Sequence, residues 1–132
     1  MTRYLLDTNT VSYLIRSHPR VAARVVAVPL ASLCISAITE GELLFGLAKR
    51  PEATRLYRAV QEFLSRITVL PWASQTAQSY GPLRSELQKA GTTVAPIDLL
   101  IAAHALEVGA VLVTSDQALF QVPQLKLENW AA

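Results

Sequence analysis

Five short strand-like runs, each too short for a helix, punctuate this chain, and helix-patterned stretches separate them. The runs are Tyr4-Leu5-Leu6, Leu33 to Ser36, Thr68 to Leu70, Val111 to Thr114 and Leu125 to Leu127. Strands that alternate with helices cannot be joined by tight hairpins. They call for crossover connections, and hence for an α/β domain with a largely parallel sheet.

The intervening stretches carry their own stop and start signals. Thr10 to Arg16 reads as a helix closed by His18-Pro19, and Pro19 to Val28 reads as a second with proline at its start. Ile38 to Lys49 is helical until Pro51. Glu52 to Arg66 has the clearest periodicity, with Leu56, Val60, Phe63, Leu64 and Ile67 forming one apolar stripe. Arg55, Arg58 and Arg66 line another face of that helix, read as solvated. Ser74 to Ala90 is helical and ends at Gly91, with a kink or late start expected at Pro82. Pro96 to Val108 is apolar and capped by Gly109.

Composition narrows the class. The 132 residues make one domain, taken as residues 1–132, with no repeat or linker. Hydrophobic residues make up 52% and charged residues 17%, which excludes a disordered tail or a coiled coil. One cysteine, Cys34, cannot close an internal disulfide, so a reducing cytoplasm is the expected compartment and a core position the expected role. The longest uncharged stretch, Val25 to Thr39, is shorter than a membrane span of ~20 residues, and no leader peptide fits before Asp7.

Aspartate is scarce, and its placement is informative. The chain has three: Asp7, Asp98 and Asp116. Asp7 directly follows the first strand, and Asp116 follows the Val111–Thr114 strand by two residues. Asp98 lies in the first turn of the Pro96 helix, and Glu42 lies near the start of the helix after the second strand. In an open parallel sheet, ligands bind outside the carboxyl ends of the strands, and all four acids map to that edge. Singly, each has a structural explanation as a cap or first-turn acid, and Thr39-Glu40-Gly41-Glu42 has capping-box spacing. Together they would repel one another unless a cation offset them. Oxygen donors without a Cys/His cluster suit a hard ion, Mg²⁺ with Mn²⁺ as substitute, rather than zinc. Setting the four aside leaves six acids against twelve bases, nine of them Arg. An acidic pocket in a basic body suits a metal-dependent enzyme acting on a polyanion.

These residues resemble the PIN-domain ribonucleases, specifically VapC-type toxins of toxin–antitoxin pairs. The matching stretches are Leu5-Leu6-Asp7-Thr8-Asn9, Ile35 to Leu43, Pro96 to Ala102 and Val113-Thr114-Ser115-Asp116, with Leu127-Glu128-Asn129-Trp130 at the end. They run in order along essentially the whole chain. The resemblance implies a five-stranded, mainly parallel sheet in the order 3-2-1-4-5 flanked by helices. It also implies an RNA substrate, a homodimer and a cognate antitoxin that blocks the crevice. Periodicity does not choose between Glu40 and Glu42, because the Leu43, Leu44, Leu47 stripe lies nearer the Glu40 face. The family pattern does choose, since its acid immediately precedes the leucine at 43, so Glu42 goes to the site and Glu40 to the helix dipole.

The expected function is therefore an Mg²⁺-dependent endoribonuclease. Asp7, Glu42, Asp98 and Asp116 are its catalytic and metal-holding residues. Thr8, Asn9, Thr114 and Ser115 are hydrogen-bonding neighbours that orient them, Asn9 and Ser115 foremost. His104, in an apolar stripe with Ile97, Leu100 and Ile101, reads as a satisfied core residue, and His18 as an exposed loop residue. Two isolated histidines argue against a metal-free ribonuclease.

The alternatives are a receiver-like Mg²⁺-binding signalling domain, a dehalogenase-like phosphatase and a non-catalytic RNA-binding scaffold. The first needs paired acids after strand one and a late lysine, whereas Asp7 stands alone and no lysine follows Val111–Ser115. The second needs an acid where Asn9 stands. The third has no use for four carboxylates.

Overall fold

The computed structural model describes residues 1–132. In chain order it contains β1 (Tyr4–Leu6), α1 (Thr8–Ile15), α2 (Pro19–Val26), β2 (Leu33–Ser36), α3 (Ala37–Lys49), α4 (Thr54–Arg66) and β3 (Thr68–Leu70). There follow α5 (Ser74–Lys89), α6 (Pro96–Val108), β4 (Val111–Val113) and β5 (Leu127–Glu128). The sheet order is β3-β2-β1-β4-β5, and every pairing is parallel. β1 is central, with Tyr4 opposite Leu33 on one side and Val111 on the other.

Period-two alternation sends neighbouring strand residues to opposite faces. Leu5, Cys34 and Leu112 pack against Leu83 and Leu87 of α5 and Ile101 and Ala102 of α6. Leu6, Ile35 and Val113 face Val11, Val21, Leu43 and Val60, from α1, α2, α3 and α4. Helices thus cover both faces, which is why the inner strands are apolar throughout rather than alternating with polar residues. In α6, Ile101, Ala102, Ala103 and Ala105 are all fully buried, and three alanines in a row of such positions let the helix lie close to its neighbours. The helix stops at Gly109, whose φ of 67° is the left-handed cap that glycine takes without strain.

The structure departs from the sequence expectations in a few places. α1 starts at Thr8, two residues early, because Asp7 itself caps it. α3 starts at Ala37 with Ser36 as cap, so Thr39 is a buried helix residue and not a capping-box hydroxyl. α4 starts at Thr54, since Glu52 is spent in the turn after Pro51. α5 runs unbroken through Pro82, so the helix does not start late there. Gly81 and Pro82 are exposed, so water can reach the carbonyl that proline leaves unpaired, while Leu83 and Leu87 anchor the following turns. The last strand lies at Leu127–Glu128, and Leu125 instead enters the core. Short 3-10 turns at Leu30–Ser32 and Gln117–Gln121 carry no periodicity that would reveal them in sequence.

Candidate active site

β1 and β4 run side by side, with Leu6 opposite Val113. The chain leaves both strands at the same edge, and Asp7 and Asp116 stand there. Asp7 is buried. Its backbone N–H donates to the Val113 carbonyl at 3.1 Å, and its Oδ1 accepts from the Thr10 N–H at 2.8 Å. Thr10 Oγ1 donates to the same Val113 carbonyl at 3.1 Å, tying the start of α1 to the end of β4. Asp116 is held in a parallel way. Its N–H donates to Thr114 Oγ1 at 3.0 Å, and its Oδ1 accepts from the Ala118 N–H at 3.0 Å. Each aspartate is therefore a cap that commits one carboxylate oxygen to a backbone N–H.

Asp98 and Glu42 complete the group. Asp98 sits in the first turn of α6 and is half-buried. Its carboxyl is pushed up to about 6, first by burial, then by the negative charges of Asp116 and Asp7, a hydrogen bond to Asp116, and the charge of Glu42. The same three acids that the sequence grouped with Asp98 are thus the ones that press on it. Glu40 is not among them, which supports Glu42 as the site glutamate. The chain's ion pairs are Arg24–Glu128 and Arg66–Glu62, so no cation of the protein neutralises any of the four.

The donor set fits a hard divalent ion, being all carboxylate oxygen with unrelieved repulsion. No three of these groups converge closely enough to form a ready-made cage. Asp7, Glu42, Asp98 and Asp116 would hold such an ion in part through water, since Mg²⁺ keeps several of its waters in protein sites.

The neighbours of the acids divide unexpectedly. Thr8 Oγ1 donates to the buried Thr39 Oγ1 at 3.2 Å, linking α1 to α3, and Thr114 is buried and holds the Asp116 turn. Asn9 and Ser115, expected to be foremost, make no side-chain hydrogen bond. Asn9 is exposed and borders, with Thr8 and Glu42, a cavity of about 350 Å³. Arg16 and Arg50 stand at that cavity too, and sequence reasoning did not single them out. They fall on different helix ends, so nothing in the linear pattern brings them together.

His104 is buried, and its Nδ1 lies 2.8 Å from Ser36 Oγ, which also accepts from the Ile38 N–H. It is the satisfied core histidine expected, with its pKa lowered by burial. His18 differs from expectation. It is half-buried, caps α2 by accepting from the Val21 N–H at 3.4 Å, and packs on the Tyr13 ring. A residue placed directly before Pro19 at a helix start is a natural cap, and that signal was available in the sequence. Cys34 is buried, with its thiol pushed up to about 11 mainly by burial, as befits an unreactive core residue.

Comparison with known proteins agrees with this architecture. The model of the PIN domain matches residues 4–125. The tRNA(fMet)-specific endonuclease VapC of Salmonella typhimurium is 36% identical, over 98% of this chain and 99% of its own. Ribonuclease VapC2 of Haemophilus influenzae is 35% identical over the same shares. Among solved structures, DNA-bound VapBC from Salmonella typhimurium superposes with a TM-score of 0.89 at 36% identity, covering 98% of this chain and 99% of that one. VapBC2 from Rickettsia felis, bound to a promoter DNA fragment, gives 0.88 at 34% identity with the same coverage. A family match that spans nearly every element, the acid-bearing edge included, establishes that the chain belongs to the PIN-domain family, among its VapC-type ribonucleases.

Proposed function

We propose that this chain is the endoribonuclease toxin of a toxin–antitoxin pair. It hydrolyses RNA phosphodiester bonds with Asp7, Glu42, Asp98 and Asp116 as its working groups and Mg²⁺ or Mn²⁺ as cofactor. The observation that carries this reading is the gathering of four unpaired carboxylates at one sheet edge of an otherwise basic chain. When bound, the cation supplies the Lewis acidity that makes a water nucleophilic and offsets charge on the phosphoryl group. Asp7 and Asp116, each fixed by a backbone N–H, are rigid anchors at the ends of β1 and β4. Asp98 or Glu42 would orient the attacking water. Glu42 comes from α3 and borders the Asn9 cavity. Arg16 and Arg50 at that cavity supply phosphate contacts that position the strand without reading sequence.

The structural relatives from Rickettsia felis and Salmonella typhimurium are VapBC complexes, which supports a cognate antitoxin for this chain. Its simplest inhibitory contact is an inserted Arg or Lys that neutralises the four acids. The toxin acts as a homodimer in the cytoplasm. Relatives from Salmonella typhimurium and Shigella flexneri are named tRNA(fMet)-specific endonucleases, so tRNA is the substrate class to try first. The alternative of an RNA-binding scaffold without chemistry gains no observation in its favour.

The test is the chemistry of the cut. A water that attacks from outside the chain leaves a 5′-phosphate and a 3′-hydroxyl, and needs no neighbouring 2′-hydroxyl. Cleavage of tRNA is expected only with Mg²⁺ or Mn²⁺, and to persist when the nucleotide 5′ to the cut lacks its 2′-hydroxyl. Cutting that survives EDTA and leaves 2′,3′-cyclic phosphate ends would overturn this mechanism.

A further inference from the structure

A second cavity, of about 320 Å³, lies between the C-terminal half of α5 and the segment that leads into α6. Tyr80 and Arg84 form one side, Pro96 and Leu99 the other, and Gln88 and Thr93 stand at the rim. Pro96 and Leu99 are one helical turn apart, and Asp98 belongs to that same turn. The cavity therefore lies beside the helical turn that carries Asp98, and none of the four acids lines it.

Its chemistry is particular. Arg84 Nη1 donates to Tyr80 Oη at 3.0 Å, which sets the guanidinium beside the phenol. Arg84 has no carboxylate partner, and Glu86, two residues on, accepts from Gln124 Nε2. An exposed guanidinium without an acid is a phosphate ligand in waiting. The Tyr80 ring sits edge-on to Trp72, at 6.1 Å and 74°, and Trp72 is itself pinned by donating to the Leu100 carbonyl at 2.9 Å. That contact steadies the Tyr80 ring, which lines the cavity. Buried Leu87 and Leu99 supply an apolar floor. An amide and a hydroxyl at the rim can meet the edge of a base. The volume reaches the lower end of ligand pockets, ~300 Å³.

We propose that this cavity holds one unpaired nucleotide of the RNA next to the scissile bond, with its base against Tyr80 and Leu99 and its phosphate on Arg84. The proposal rests on the ribonuclease reading above, and deepens it by assigning a place where the cut site is selected. Single-stranded RNA is recognised in this manner, through splayed bases set on aromatic faces and held by Arg.

The experiment compares wild type with Arg84→Glu and with Thr93→Trp, which fills the cavity from an exposed loop position. A short randomised single-stranded RNA is cleaved with Mg²⁺, and the new ends are sequenced. Both variants are expected to lose the wild-type preference at one fixed position beside the cut, and to cleave at least about tenfold more slowly, the scale of one lost base stack and its phosphate contact. Mn²⁺ binding, followed by thermal shift, is expected to stay unchanged. Unaltered preference with rates within about twofold would overturn the proposal. So would a change in oligomeric state without a change in preference, which would make the cavity a protein interface. A wild-type protein that cleaves neither tRNA nor the randomised RNA would instead remove the ribonuclease reading, and this inference with it.

Discussion

Asp98 holds its proton unusually tightly, first because it is partly buried and then because Asp116 and Asp7 press on it. Its folded-state pKa of about 6 lies above the ordinary 3.8. A group raised in this way holds its proton more tightly in the folded state. Its contribution to stability is fully present below about pH 4 and is lost as pH rises through about 6. Asp98→Asn removes the titration. In EDTA, wild type and variant should be equally stable to urea near pH 3.5, and the variant should be more stable at pH 7. The gain should be about 1–2 kcal/mol once the half-exposed position is discounted for screening. Cleavage should fall to background in the same variant. Added Mn²⁺ should raise the melting temperature of wild type well above its effect on the variant. The histidine behaves in the opposite sense. Burial lowers the His104 pKa, so its neutral form favours folding above about 6.5, and that support is lost as pH falls further. The four acids were legible in the sequence because carboxylates at strand ends are conspicuous when aspartate is rare. Which hydroxyls would orient them was not legible, since Thr8–Thr39 spans 31 residues and only the fold brings them together.

At the scale of elements, α6 positions the site and His104 fixes α6. The His104–Ser36 hydrogen bond joins the middle of α6 to the cap of α3, the helix that bears Glu42. His104→Gln should cost about 1–3 kcal/mol, the penalty of a disturbed buried polar pair. Its cleavage rate at saturating metal, measured well below the melting temperature, should stay within a few-fold of wild type. A loss as deep as that of Asp98→Asn would give His104 a direct part in the chemistry. Helix and strand positions were largely readable because caps and prolines punctuate the chain, Gly109 and Pro96 most clearly. Pro82 was the misleading signal. Local sterics argue against proline inside a helix, but buried Leu83 and Leu87 hold α5 together across it. The start of α4 and the two 3-10 turns were hidden for the opposite reason, as nothing periodic marks them.

On the scale of the molecule, Leu44, Phe45 and Tyr57 are exposed large residues on α3 and α4, and Val26 and Leu30 lie bare near α2. A dimer would bury part of such surface in an isologous interface. Light scattering at micromolar concentration should give about twice the 14.4 kDa of the chain, and a strict monomer would remove the homodimer from the reading. The C-terminal segment is tied in firmly. Trp130 is buried and donates to Glu128 Oε1 at 2.8 Å, and Arg24 both pairs with that oxygen at 2.7 Å and lies over the indole. The sheet order followed from the family likeness and not from pattern alone, since strands of two to four residues carry too little sequence to reveal their neighbours. The order β3-β2-β1-β4-β5 has one more consequence. The four clustered acids arrive at positions 7, 42, 98 and 116, and the edge strand beside β4 follows at Leu127–Glu128. A ribosome must therefore pass Asp116 before all four acids can meet at one edge. A copy released before that point carries an incomplete set of acids.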